Sequence, residues 1–425
     1  MPLSDHSPRP REPVFLHTRD FKRDPYPVYA RLREQGPVHR VAFPSGVVGW
    51  LVTGYDAAVS TLADPRLSKD HRHGGEQWRR LSASMPEPYH GRLQAHLLHQ
   101  DPPTHTRMRR HVTDSFSPRR MAALRAKVAE IAESLLDDVV AQVRRGGSAD
   151  LVEHFAAEFP FLALSEVLGI DAEFRARFRP EWRKVVAPVG PNEPGRPAYL
   201  ALLEGCQDYI AELVAHKRKH PADDLLSALV RANEAGDLAD HELSSMIFQL
   251  FAAGQEPVTN QITTMTVALL DHPAEFAELA QRPELLPGAV EELFRYDGSF
   301  EITTWRFFRE DSELHGVPIP AGESVIVSLG AANRDGRRFA DPDRLDFTRS
   351  PNPHLAFGHG IHFCPGAALA RIQGQTAISA LVRRLPGLRL AVPAQDLEWI
   401  QAVLGRGVAR LPVTFEHARA QPALA

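Results

Sequence analysis

The sequence predicts a mainly α-helical protein with smaller β-sheets. Leu124, Val128, Ile131, Leu135, Val139 and Val143 recur every three or four residues, so they share one helix face. A long helix is predicted from Asp240, a residue suited to cap it, to Asp271, just before Pro273. It is apolar on several faces, so most of it should be buried. The β-rich runs are short: Val38 to Phe43, Val47 to Thr53, Ile302 to Phe307 and Ser324 to Ser328.

In chain order, residues 1–20 are expected to form a flexible arm, because the N-terminus is polar and Pro-rich. Asp24-Pro25-Tyr26-Pro27 opens a helix carrying Tyr29, Leu32 and Arg33. Pro44-Ser45-Gly46 joins the first two β-rich runs as a hairpin, and a short helix follows Tyr55. Residues from about Lys69 to Gln100 are rich in His, Arg, Gly and Pro, with little periodicity, and predict a long, mobile loop. Gly146-Gly147 stops the helix of the Leu124 series. Gly190 to Pro197 breaks two helical segments. Pro318-Ile319-Pro320-Ala321-Gly322 is the turn between the last two β-rich runs, and a final helix runs from about Ala367 to Leu385.

The 425-residue chain has a formal net charge of −4, which gives no signal for nucleic acid or a membrane surface. The N-terminal residues contain no apolar run for a secretory signal or a membrane span, so the chain reads as cytoplasmic. Two cysteines, Cys206 and Cys364, exclude a disulfide framework and a cysteine zinc cluster. A metal bound through sulfur must be held by one cysteine alone. His241-Glu242 continues to Ser245 rather than a second histidine, so the zinc-protease pattern fails. Gly358-His359-Gly360 lacks the third glycine of a dinucleotide-binding turn.

The richest stretch is Phe357-Gly358-His359-Gly360-Ile361-His362-Phe363-Cys364-Pro365-Gly366, followed by Ala367-Ala368-Leu369-Ala370-Arg371. Its glycines permit tight turns and close backbone approach to a ligand. Cys364 sits just ahead of a helix, where free N–H groups and the dipole favour a thiolate. A thiolate on haem iron donates electron density that favours O–O cleavage. Upstream, Glu292 and Arg295 stand one helical turn apart. His105 and Arg109 share a helix face after Asp101-Pro102-Pro103.

Together these segments resemble the cytochrome P-450 family over nearly the whole chain. The resemblance implies a triangular helical prism, with haem b between the central long helix and the Cys-loop helix. It also implies a single domain over residues 21–425, in place of the two or three domains that length alone allows. Cys364 would be the axial iron ligand. His105, Arg109, Arg306 and His362 would receive the haem propionates, with Phe357 and Gly366 also at the cofactor. Glu292 and Arg295 would lock to Arg349 behind the haem. The pocket would be lined by the loop before His105, the 180–200 break, Ala252 and Ala253, Phe300 to Thr304, and Gln401 to Val403. Electrons would come from a ferredoxin and its reductase to a monomer, with Arg107, Arg110 and Arg371 as a basic docking patch.

One departure stands out. The family's Ala-Gly-x-Glu/Asp-Thr over the iron reads Ala253-Gly254-Gln255-Glu256-Pro257 here. Proline lacks the N–H that would bond the Ala253 carbonyl, so it opens this turn, but it supplies no hydroxyl. Thr259 is rotated too far round the helix to replace it. The resemblance implies O2-dependent oxidation of a small-molecule natural product, either by hydroxylation or by radical coupling of aromatic units. A tryptophan-containing cyclic dipeptide is one candidate, with Gln249, Gln255 and the loop near Gln77 as amide contacts. A peroxygenase and a non-catalytic haem electron-transfer or sensor protein are the alternatives.

Overall fold

The structure is a computed structural model. It describes residues 12–416 apart from 83–84, 86–87, 179–184, 186–188 and 190–192.

A six-stranded sheet forms one side of the molecule. Its strands are β1 (Val14–Phe15), β2 (Val38–Ala42), β3 (Val48–Val52), β4 (Leu67–Ser68), β5 (Arg306–Phe308) and β6 (Ser324–Val327), in the spatial order β1-β2-β3-β6-β5-β4. The hairpin β2–β3 is antiparallel, and Gly46 N–H closes its turn on the Phe43 carbonyl at 2.9 Å. Strand β1 pairs in parallel with β2, and Thr18 caps a short helix over Arg19–Arg23. The end of the expected arm is therefore ordered; residues 1–11 lie outside the described residues.

Two sequence expectations near this sheet need correction. The run from Ile302 becomes a strand only at Arg306; Ile302 makes an isolated bridge to Ser328. A separate hairpin, Ser312–Leu314 with Val317–Ile319, lies between β5 and β6, so the turn is confined to Pro320–Glu323. The segment 69–100 also holds helices over Glu76–Leu81 and Tyr89–Leu93. Trp78 is buried against Phe307, 4.8 Å between ring centroids, and Ser245 Oγ ties Ala95 and Arg92 to the long helix. Tertiary burial orders these helices, which have no periodicity of their own.

Five helices build the rest of the site's frame: α1 (Thr104–Thr113), α2 (Pro118–Gly146), α3 (Asp240–Asp271), α4 (Leu286–Tyr296) and α5 (Ala367–Arg384). Helix α2 starts with Pro118 in its first turn and ends at Gly147 in the left-handed conformation. Its buried stripe is Met121, Val128, Ala132, Leu136, Val139 and Val143; Leu124, Ile131 and Leu135 flank that stripe, half-buried. The cap of α3 is Ala239, not Asp240; Glu242 accepts the Ala239 N–H at 2.9 Å. Every residue of α3 from Thr259 to Leu269 is buried. Its threonines bond carbonyls a turn back, such as Thr266 to Ile262 at 2.7 Å, so no hydroxyl is stranded. Among the described residues no helix is long and apolar enough to cross a membrane.

Candidate functional site

Helix α4 places Glu292 and Arg295 one turn apart, fully buried, with two contacts of 2.7 Å. Arg349 reaches Glu292 at 3.1 Å, and Asn352 Nδ2 at 3.2 Å. Arg295 also donates to the carbonyls of Asn333 and Pro342, at 2.9 and 2.8 Å. Asn333 in turn accepts the Leu355 N–H at 2.7 Å. This network anchors both ends of the segment that leads to Cys364. The expected Glu292–Arg295–Arg349 lock is thus present as geometry.

The loop itself is folded by its glycines. Gly358 and Gly360 adopt φ of 73° and 74°, and a Cβ at Gly360 would stand 2.9 Å from the Leu62 carbonyl oxygen. Cys364 N–H donates to the Phe357 carbonyl at 3.0 Å, and Arg109 Nη1 donates to the Phe363 carbonyl at 2.7 Å. Burial pushes the Cys364 thiol up, against the opposing pull of the Gly366 N–H, Arg109 and Arg371. The helix terminus alone therefore does not make a thiolate here. A metal ion at the sulfur would do so, because a coordinating thiol is deprotonated outright.

Cys364 opens onto a cavity of about 250 Å³ between α3 and the loop leading into α5. Ala253, Gly254 and Pro257 line it from α3; Phe357, His362 and Gly366 line it from the Cys side; Arg109 and Arg306 lie at its edge. Helix α3 runs unbroken through Pro257, and the Ala253 carbonyl receives no N–H from that position. The smallness of Gly254 serves packing: a Cβ there would meet Leu164 at 2.8 Å. His105 is buried behind His362, ring centroids 4.5 Å apart.

Other expected positions turn elsewhere. Glu256 is absent from the cavity wall; it accepts from Asn260 Nδ2 at 2.5 Å, and burial raises its pKa against that bond. Gln255 points at the Ala157 carbonyl, and Ala252 faces a separate water-sized space beside Cys206. Gln401 to Val403 do not line the main cavity, and Gln77 is exposed on the Glu76–Leu81 helix. Thr259 faces away, as expected, bonded to the Gln255 carbonyl at 3.1 Å. Gln249 does line the cavity, with its Oε1 buried and without a partner among the described residues. Phe300, Thr303 and Thr304 line it too; most of the 180–192 stretch lies outside the described residues. The expected basic patch is largely neutralised. Arg107 is clasped by Glu242 at 2.5 and 3.0 Å, Arg371 by Glu291 at 2.7 and 2.9 Å, and Arg110 faces Asp237 at 3.4 Å.

The polar edge is strongly basic. Arg306 is 5 % exposed, meets only Thr303 Oγ1 and the Thr304 carbonyl among the described residues, and is pushed down to about 10 by burial. Lys69 is buried beside it, a residue that sequence reasoning left inside a loop. Burial, then Lys69, His105 and the arginines, lowers His362 to about 2, while its Nδ1 and the His105 Nε2 have no partner among the described residues. Buried cations with no anion are costly, so the edge suits a ligand bearing carboxylates. An apolar slot, a sulfur facing into it and this cationic edge fit a haem with two propionates. The His71, His96 and His99 rings cluster nearby, yet no set of three or more His, Cys, Asp or Glu among the described residues converges as a metal site.

The family model described as Cytochrome P-450 matches residues 279–386. Cytochrome P-450 monooxygenase PikC of Streptomyces venezuelae is 43% identical over 403 residues, covering 94% of this chain and 93% of that protein. The polyketide biosynthesis cytochrome P-450 PksS of Bacillus subtilis is 38% identical over 405 residues, covering 94% and 98%. The crystal structure of the myxobacterial cytochrome P-450 CYP267B1 with myristic acid matches at a TM-score of 0.89 and 40% identity, covering 95% of this chain and 99% of that one.

Proposed function

This chain belongs to the cytochrome P-450 family and is an oxidoreductase of the monooxygenase kind, and from that premise we propose that it hydroxylates an apolar, polyketide-type natural product, with haem b held through Cys364. The observation that carries this reading is the Cys364 sulfur opening onto a largely apolar cavity whose edge gathers buried cations. The name of PksS supports the substrate class. Electrons would come from a ferredoxin and its reductase, with the protein acting as a monomer.

Haem held there supplies the activation of dioxygen. The chain's own residues do the rest. The Glu292–Arg295–Arg349 network keeps the Cys364 loop at one distance from α3. Arg109, Arg306, His105 and His362 would receive the propionates, and the apolar walls would exclude bulk water from the reacting centre. Pro257 leaves the Ala253 carbonyl without its helical partner and puts no hydroxyl on the wall. The hydroxyl that would order a proton-bearing water must come from the substrate or from ordered solvent. Glu256, bonded to Asn260, lies outside the wall.

A second reading is radical coupling on a tryptophan-containing cyclic dipeptide. It is favoured by Pro257 and by the orphan Oε1 of Gln249, which would accept an amide N–H. The orientation of Gln255 removes one expected amide contact. Spectral titration with macrolactones and with cyclic dipeptides, followed by turnover with ferredoxin and reductase, separates the two. A haem spectral shift and an added oxygen on a macrolactone support hydroxylation; coupled dimers overturn it. Turnover with hydrogen peroxide alone would instead mark a peroxygenase.

A further inference from the structure

Lys69 follows strand β4 and is 1 % exposed. Its ammonium donates to Thr304 Oγ1 and, at 2.7 Å, to the Trp305 carbonyl. Its backbone N–H donates to Asp101 Oδ1 at 2.9 Å. The other oxygen of Asp101 is already shared by Ser68 and Arg309. Among the described residues no carboxylate lies within ion-pair distance of the Lys69 ammonium, or of the guanidinium of Arg306 on the adjacent strand. Burial, then repulsion from Arg306, holds the Lys69 ammonium well below its ordinary range, and only the nearby Asp101 carboxylate opposes this.

A lysine that merely fastened β4 to residues 304–305 would be an expensive choice, since a neutral donor makes the same two bonds. Two buried cations without a directly paired carboxylate are tolerable where a dianionic ligand meets them. Thr304 and Arg306 both line the cavity, and Lys69 stands behind Thr304. The four basic residues legible from sequence motifs do not include it.

We propose that Lys69 is a positioning cation for a porphyrin dicarboxylate: acting through the Thr304 hydroxyl and beside Arg306, it holds the propionate edge and raises the iron's affinity for an electron. Two consequences follow from Coulomb's law in a buried site. Removing the charge weakens retention of the dianion. It also shifts the iron towards the ferric state, because the positive charge that stabilised the added electron near the porphyrin is gone.

The inference rests on the haem reading, and its test is made on holoprotein carrying Lys69→Met, Lys69→Gln or Lys69→Arg. Haem loss is followed by transfer to excess apomyoglobin. The ferric-to-ferrous ratio is read at one potential fixed by redox dyes. Both are repeated after reconstitution with haem dimethyl ester, which lacks the carboxylates. Lys69→Met and Lys69→Gln should lose haem about tenfold faster and raise the ferric-to-ferrous ratio about fivefold, with Lys69→Arg within about twofold of the parent. With the diester, the variants and the parent should converge on haem loss. Gln remains an uncharged N–H donor at this position, so it decides the matter if Met fails to fold. Unchanged haem loss and ratio in a folded Gln variant, or a haem-loss difference that persists with the diester, would overturn the proposal. The carbon monoxide spectrum of the same samples reports the sulfur side separately and so keeps a failure of the Cys364 assignment distinct.

Discussion

Arg295 and Glu292 face each other through two contacts of 2.7 Å with no side-chain surface exposed. A pair buried so completely resists the loss of either partner, because the survivor is left charged in a medium that cannot solvate it. Glu292→Gln strands Arg295 and Arg349 together. The expected cost is about 3–5 kcal/mol of stability. Urea unfolding and the haem content of the purified protein measure it; a variant within about 1 kcal/mol of the parent would show that the network only decorates the loop.

Pro257 sets up the second prediction. Pro257→Thr restores an N–H to the Ala253 carbonyl and should stabilise the protein by up to about 3 kcal/mol. It also returns a hydroxyl to the cavity wall. The fraction of supplied electrons recovered as product should change. Unchanged rate, coupling and product pattern would make the position chemically silent.

Glu256 is the acid that the sequence motif retains, yet it faces Asn260 and not the cavity. A positioned general acid contributes about a hundredfold or more. Glu256→Gln should therefore slow turnover by less than about tenfold. A loss of several hundredfold, measured under saturating reductase, would mean that the side chain swings into the site during the reaction.

The third buried group is the imidazole cluster of segment 69–100. Burial, then Lys69, lowers His71 and His96 to about 3, and His99 is held well below its ordinary value for the same first reason. Their unfolded values lie near 6.5. The folded state thus binds fewer protons, so its stability is full above about pH 6.5 and falls as the pH drops towards 3. Each such histidine contributes a slope of about 1.4 kcal/mol per pH unit in that window. His96 is 4 % exposed, so little solvent screening reduces its share. Urea midpoints at pH 7, 6 and 5 should fall steadily, and His96→Gln should flatten the slope by about one proton. Equal slopes would place the acid sensitivity elsewhere.

The readable parts of the sequence were those whose physics is local. The Gly358–Gly366 run carries its own turn chemistry, and the bounds Asp240–Asp271 follow from a cap region and a following proline. Cys364, Arg109, Arg306, His362 and Pro257 came together because each sits on a motif. Segment 69–100 was misread because its order comes from Trp78, Leu93 and Leu97 burying against distant elements, and its composition hides this. Lys69 was missed for the same reason: only the pairing of Leu67–Ser68 with Phe307–Phe308 brings it to Thr304. Side-chain direction was the other limit. Adjacent positions 255, 256 and 257 share one helix turn, yet only Pro257 reaches the cavity. A helix period sets the rotation, but which face meets the cavity depends on how α3 packs.

The account rests on sulfur ligation by Cys364, and the carbon monoxide spectrum of the reduced protein tests that bond directly. A strongly red-shifted Soret band in the parent, lost in Cys364→Ser and Cys364→His while haem remains bound, is the expected result. A parent protein that binds haem but shows no red-shifted band would contradict it.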